Sequence, residues 1–241
     1  MEVQLFIPCF IDQLYPETAF NTIKVLEKAG CTVHYNPQQT CCGQPAYNSG
    51  YWDEAAKLAD KFLGDFRDDL PIVSPSASCT GFVIHHYPKI LKTKPELLSK
   101  QEKIKNKIFE LSDFLINILL IEELSVEFNH KVTFHDACSA LREYGIEEEP
   151  RKLLRMVKGL ELIEMPERDT CCGFGGTFAV KNTAISTAMA EKKVMNALKT
   201  GVEFIVSTEA SCLMNVNGYI AKHKLPIKGI HLADIISGSI Q

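Results

Sequence analysis

The chain has 241 residues, of which 46% are apolar and 23% charged, which suits a folded protein with a substantial core and excludes a disordered or fibrous one. Its net charge of −4 comes from acidic and basic residues mixed along the chain, so no basic stripe offers a footprint to nucleic acid.

The first residues lack the basic stretch and long apolar run of a signal peptide. Residues 4–8 form a short apolar run that ends just before Cys9, as a strand does. Pro16 and Glu17 then open a helix and Gly30 closes it, with Phe20, Ile23 and Leu26 on the face expected to pack on a sheet. A strand over 32–35 leads through a polar loop into Cys41-Cys42-Gly43. A helix over 53–66 carries Ala55, Ala59, Phe62 and Phe66, and a strand at 72–73 runs into Ser78-Cys79. The apolar run 114–121 is broken by Asn117 and falls far short of the roughly 20 residues needed to cross a bilayer. A cytoplasmic protein with no membrane span is the expectation.

From residue 132 the same order begins again. A strand over 132–135 ends before Cys138, and a helix opened by Pro150 and closed by Gly159 carries Leu153, Leu154 and Val157. A strand over 160–165 leads to Cys171-Cys172-Gly173; a helix over 184–199 carries Ile185, Ala188, Met195 and Leu198; a strand over 204–206 runs into Ser211-Cys212. Cys9 to Cys41 spans 32 positions and Cys138 to Cys171 spans 33, so eight of the nine cysteines fall into the repeat. Residues 111–115 match 232–236, whereas 89–107 have no counterpart and read as a helical surface insertion. The expected domains are residues 1–125 and 126–241. Strands alternating with helices predict an α/β fold: two tandem Rossmann-like repeats with mostly parallel sheets, related by an approximate two-fold axis. Loops after the carboxyl ends of parallel strands gather on one edge, and every repeated cysteine lies in such a loop.

Nine cysteines in a reducing compartment point to metal ligation or redox chemistry. The candidate ligands are Cys9, Cys41, Cys42 and Cys79 in the first half and Cys138, Cys171, Cys172 and Cys212 in the second. Four thiolates from three loops suit a closed zinc site or an iron–sulfur cluster. Adjacent cysteines face one centre only if the backbone turns sharply or the object is larger than one ion, which favours the cluster. Gly43 and Gly173 permit such a turn, and Gly173, Gly175 and Gly176 bring main-chain amides toward a negatively charged group. That glycine run fits neither Gly-x-Gly-x-x-Gly nor a lysine-bearing phosphate loop. Thiol–disulfide exchange would use one adjacent pair but leave the lone cysteines without a role.

With these residues in view, the chain resembles the cysteine-rich "CCG" domain family. The resemblance rests on Pro8-Cys9-Phe10-Ile11-Asp12-Gln13-Leu14-Tyr15-Pro16, on Thr40-Cys41-Cys42-Gly43-Gln44-Pro45, and on Cys171-Cys172-Gly173-Phe174-Gly175-Gly176-Thr177-Phe178. It implies one or two iron–sulfur clusters of the 4Fe–4S type. It also implies a subunit of an iron–sulfur oxidoreductase that transfers electrons within a nicotinamide-independent lactate oxidation complex, alongside a ferredoxin-like iron–sulfur subunit and a third subunit. A zinc-stabilised scaffold subunit and a thiol–disulfide oxidoreductase are the alternatives. The family's final Cys-x-x-Cys is incomplete in both halves, which read Cys79-Thr80-Gly81-Phe82 and Cys212-Leu213-Met214-Asn215. A five-thiolate cluster therefore does not carry over; a four-cysteine cubane or a cluster with one non-cysteine ligand does.

No catalytic residue is assigned, because no hydrolase triad, zinc-protease motif or flavin fingerprint is present. Cys31, outside the repeat, reads as a buried apolar residue. His135-Asp136 reads as a hydrogen-bonded strand-end pair, with a role beside the metal centre as the alternative. His85-His86-Tyr87 reads as a helix surface with one buried ring, Lys181 as a solvated or cluster-facing lysine, and Glu147-Glu148-Glu149 as a helix start.

Overall fold

In a computed structural model, which describes residues 1–239, the first half runs β1 (Glu2–Leu5), α1 (Cys9–Leu14), α2 (Pro16–Lys28), β2 (Thr32–Tyr35), α3 (Gln44–Asn48), α4 (Trp52–Asp65) and β3 (Ile72–Ser74). It continues with α5 (Ala77–His85), α6 (Tyr87–Ile90), α7 (Pro95–Lys105), β4 (Ile108–Glu110) and α8 (Leu111–Asp113), which passes into a π-helical turn over Phe114–Ile118. The second half runs β5 (Lys131–Phe134), a π-helical turn over Ser139–Tyr144, α9 (Glu148–Met156), β6 (Glu161–Leu162), α10 (Thr177–Lys181) and α11 (Thr183–Leu198). It closes with β7 (Phe204–Ser207), α12 (Ala210–His223), β8 (Lys228–His231) and α13 (Leu232–Ile236).

Each half builds a four-stranded, all-parallel sheet, in the order β2-β1-β3-β4 and β6-β5-β7-β8. Leu5 pairs with Val73 as Phe134 pairs with Val206, so the registers correspond strand for strand. Side chains alternate across each strand, and both faces are covered. Val3, Leu5, Val132, Phe134, Val73 and Val206 point into one core shared by the two halves. Phe6 and Ile72 point into a core private to the first half, and Ile205 into one built from the second half with Ala77 of α5.

The halves exchange their last helices. Thr18 and Asn21 of α2 donate to the Asp234 carboxylate of α13 at 3.0 and 2.9 Å. In the reciprocal place, Asn117 of the π-helical turn after α8 donates to Glu149 of α9 at 3.2 Å. This reciprocity is what an approximate two-fold relation between the repeats requires.

The helix faces depart from the apolar stripes in two places. On α2 the buried residues are Thr18, Asn21, Thr22, Val25 and Leu26, while Phe20 is exposed. On α11 they are Ser186, Ala190, Lys193, Val194, Asn196 and Ala197, while Ile185 and Met195 are exposed. Both faces are rotated because their buried polar groups find partners: Thr22 bonds the Thr18 carbonyl, and Lys193 and Asn196 bond main-chain carbonyls of 166–168. The strand expected over 160–165 shortens to Glu161–Leu162. Pro150 lies inside the first turn of α9, where amides lack helical partners and proline is tolerated. The 89–107 segment supplies α7, whose buried Gln101 donates to the Val83 and Ile84 carbonyls.

Candidate metal centre

The three cysteine-bearing loops of each half leave the carboxyl ends of neighbouring parallel strands. Cys9 opens α1 directly after β1. Cys41 and Cys42 lie in the loop after β2, and Gly43, at φ +93°, turns the chain into α3. Cys79 sits in the first turn of α5, where the Ser76 hydroxyl accepts from its amide at 3.4 Å. Cys138 precedes the π-helical turn, Gly173 takes φ +86° after Cys171-Cys172, and Cys212 sits in the first turn of α12.

The thiols meet. Cys9 Sγ lies 3.7 Å from Cys41 Sγ, and Cys42 Sγ lies 3.4 Å from Cys79 Sγ. In the second half the Cys172 and Cys212 sulfurs lie within 4.8 Å of each other, and Cys138 lies beside Cys171. All nine cysteines are free thiols, and Cys31 is buried away from these groups. The glycine after each pair donates its amide to the first sulfur of that pair, Gly43 to Cys41 at 3.4 Å and Gly173 to Cys171 at 3.3 Å. Hydrogen bonds from Cys42 and Cys9, with help from Gly43, favour the thiolate of Cys41 and pull it down to about 3. The bond to that thiolate, then burial, pushes Cys9 well above the ordinary thiol range. Thiols this close disfavour one another's ionisation, and holding all four as thiolates calls for a cation between them.

All eight repeated cysteines line one cavity of about 520 Å³ between the halves. Gly175 and Gly176 also line it, and Phe10 and Phe174 meet edge to face across its side, with ring centroids 5.3 Å apart. Gly43 and Gly173 shape the turns rather than the wall. Glu209, buried at its floor, accepts from the Ser78 amide at 2.6 Å and the Ser78 and Ser76 hydroxyls at 2.8 and 3.2 Å, which ties the last cysteine loops of the two halves together. Burial lifts its carboxyl to about 7. Among the described residues no lysine or arginine lines the cavity.

The positions where the family's fifth cysteine would fall hold Phe82, buried between the Tyr47, His86 and Tyr87 rings, and Asn215, which donates to the Cys172 carbonyl at 2.9 Å. Tyr87 is the buried ring of its trio and donates to the Cys42 carbonyl at 2.8 Å. Lys181 is exposed, and Glu148 and Glu149 form the first turn of α9.

His135 and Asp136 are not a bonded pair. Asp136 accepts two bonds from Arg151, both at 2.8 Å, and one from Arg168 at 2.5 Å, which anchors the segment leading to Cys138. His135 is 1% exposed, with neither ring nitrogen hydrogen-bonded, and its ring lies within 4.8 Å of the Cys172 and Cys212 sulfurs. Burial drives it down to about 3, so the imidazole is neutral. Sequence reasoning missed Glu209 and Lys193 altogether; the Glu at the place of Ser76 and the Lys at the place of Phe62 were visible as differences between the repeats.

The donor set fits either a cluster or a zinc ion in each half: free, converging thiols, an amide on one sulfur of each pair, and a cavity alongside for an object larger than one ion. Fold and site together define a tandem α/β protein with four repeated cysteines from each half lining one cavity. The model of the cysteine-rich CCG domain matches residues 3–83 and 132–217, and the chain belongs to that family. It is 42% identical over 237 residues to lactate utilization protein A of Halalkalibacterium halodurans, covering 98% of this chain and 97% of that one. To the protein of the same name from Bacillus subtilis it is 38% identical, over 98% and 99% of the two chains. Among solved structures, a hypothetical protein from Helicobacter pylori superposes with a TM-score of 0.65 at 15% identity, over all of this chain and 49% of that one, a likeness of fold. No helix among the described residues is long and apolar enough to cross a membrane.

Proposed function

We propose that this protein is the iron–sulfur electron-transfer subunit of a nicotinamide-independent complex that oxidises lactate to pyruvate. The observation that carries the reading is the convergence of two sets of four free cysteines on one cavity. The near-full-length likeness to proteins named for lactate utilisation supplies the substrate class. Cys9, Cys41, Cys42 and Cys79 would hold one centre and Cys138, Cys171, Cys172 and Cys212 the other. A cluster held there supplies one-electron redox chemistry. The Gly43 and Gly173 amides, which donate to Cys41 and Cys171, would favour metal-bound thiolates there, and Phe10 and Phe174 add apolar surface beside them.

Lactate oxidation releases two electrons, and an iron–sulfur cluster usually carries one at a time, so a separate component must divide them. The reading takes a ferredoxin-like iron–sulfur subunit and a third subunit as partners and the cytoplasm as the compartment. Anaerobic purification with iron, sulfide and zinc analysis tests the metal. Deleting the gene should abolish growth on lactate and spare growth on pyruvate, and Cys171→Ser or Cys172→Ser should reproduce the defect in a folded protein. Normal growth of those variants on lactate would reject the redox role.

One observation favours a second reading. Two thiolates on a tetrahedral zinc ion lie about 3.8 Å apart, near the 3.7 and 3.4 Å of the first half. A zinc-stabilised scaffold subunit would show stoichiometric zinc and no iron under anaerobic conditions.

A further inference from the structure

The two centres differ beneath the sulfurs. Phe6 and His135 follow equivalent strand ends, since Leu5 pairs with Val73 as Phe134 pairs with Val206. Gly43 abuts Ala55 and Leu58 where Gly173 abuts Ser186 and Met189, which makes Phe62 of α4 the counterpart of Lys193 of α11. In the first half these places hold two phenyl rings in edge contact, with centroids 4.9 Å apart, a floor with nothing to offer a metal. In the second half they hold an imidazole and an ammonium.

A histidine in a core ordinarily bonds through at least one ring nitrogen, because a buried polar atom left unpaired costs about 1–3 kcal/mol. His135 bonds through neither, with the Arg168 backbone lying alongside the ring but outside hydrogen-bond geometry. Asn215, the other polar side chain near the family's fifth-ligand place, is already bonded to the Cys172 carbonyl. Resting on the metal-centre reading above, we propose that His135 is a nitrogen ligand of the second centre, joining Cys172 and Cys212 on its buried side, so that the first centre is held by thiolates alone and the second by thiolates and an imidazole. The neutral ring has a lone pair for the metal and an N–H left for a carbonyl, as is usual for metal-bound histidines, and the Arg168 backbone is the group that lies nearby. The Arg168 carbonyl is itself held in place by Lys193 Nζ at 3.0 Å.

The test uses the full chain labelled with ¹⁵N-histidine, reconstituted anaerobically with ferrous iron and sulfide, reduced, and examined by pulsed EPR for a strongly coupled nitrogen. Wild type should show one. His135→Phe, which installs the first-half residue, should lose it while the metal-free variant keeps the wild-type circular dichroism spectrum. His135→Cys should keep its metal and lack the nitrogen signal, which covers the case in which the phenylalanine variant fails to fold. If zinc loads instead, X-ray absorption should find a nitrogen at about 2.0–2.1 Å beside sulfurs at about 2.3 Å, lost in the same variants. Iron or zinc bound by wild type with no coupled nitrogen, or a nitrogen signal that persists in His135→Phe, would overturn this assignment alone. A wild-type chain that takes up neither metal would overturn the metal reading and this assignment with it.

Discussion

Glu110 and His231 end the last strand of each sheet and do one job with different chemistry. The Glu110 carboxylate accepts from the Ser112 amide at 2.7 Å, the Asp113 amide at 3.2 Å and the Ser112 hydroxyl, and so caps α8. His231 Nδ1 accepts from the Ala233 amide at 3.1 Å to cap α13, and its Nε2 lies 3.0 Å from the Pro75 carbonyl of the other half. The second oxygen of Glu110 is buried without a partner, and burial lifts the carboxyl to about 8. A glutamate in the unfolded chain ionises near 4.3. Between those two values the folded chain binds the extra proton, so this group's contribution to stability falls as pH rises through the window, by on the order of 1.4 kcal/mol per pH unit. Glu110→Gln keeps the cap through its carbonyl oxygen and removes the titration. Urea unfolding of the metal-free protein at pH 5.5 and pH 7.5 should show a smaller loss of stability in the variant than in wild type. Equal losses would mean that Glu110 is ionised in the folded chain.

At the scale of the element, the turn after each cysteine pair sets where the sulfurs point. Gly43 and Gly173 both take positive φ, which costs an L-residue roughly 1–2 kcal/mol. Their surroundings differ: a Cβ on Gly173 would lie 2.6 Å from the Ser186 carbonyl oxygen and 2.9 Å from Met189 Cβ, whereas one on Gly43 would lie 3.3 Å from Leu58 Cβ. Gly43→Ala should therefore cost about 1–2 kcal/mol and Gly173→Ala about 3 kcal/mol or more, read from denaturant melts, with metal loss larger in the second. Such turns were legible in the sequence because Cys-Cys-Gly recurs at a fixed distance after a strand and before a helix. The eight-cysteine convergence was legible for the same reason: parallel topology brings strand-end loops together whatever their separation along the chain. The buried faces of α2 and α11 were not. Their apolar periodicity marked Phe20, Ile185 and Met195 as core, but those positions are exposed, since Asn21, Lys193 and Asn196 reach partners that only the tertiary structure provides. Periodicity counts apolar residues and is blind to polar ones that are buried because they are bonded. His135 was legible as a residue beside the metal centre only as an alternative to a hydrogen-bonded strand-end pair, because the partners its ring lacks show only in the tertiary structure.

At the scale of the molecule, the exchange of last helices makes each half part of the other's fold. Asp234 of α13 accepts from Thr18 and Asn21 of α2, both nearly inaccessible to solvent, and the apolar neighbours Leu232, Ile235 and Ile236 lie in the core shared with Val3, Leu5, Val25 and Leu26. Asp234→Ala strips a hydroxyl and an amide of their acceptor in a buried place, and an unpaired buried polar group costs about 1–3 kcal/mol. The expected loss is roughly 2–4 kcal/mol, and no cysteine is among the groups bonded to the Asp234 carboxylate. Because the shared core joins both sheets, that loss should be felt in both rather than in the second repeat alone. Hydrogen exchange of the wild-type and variant chains tests this: the amides of β3 and those of β7 should lose protection together and by the same factor, about 30-fold or more for a loss of 2 kcal/mol. Faster exchange confined to β7 and β8, with β3 unchanged, would show two repeats that unfold independently. In that case the reciprocal contacts of α13 with α2 and of Asn117 with α9 would orient the halves without coupling their stability.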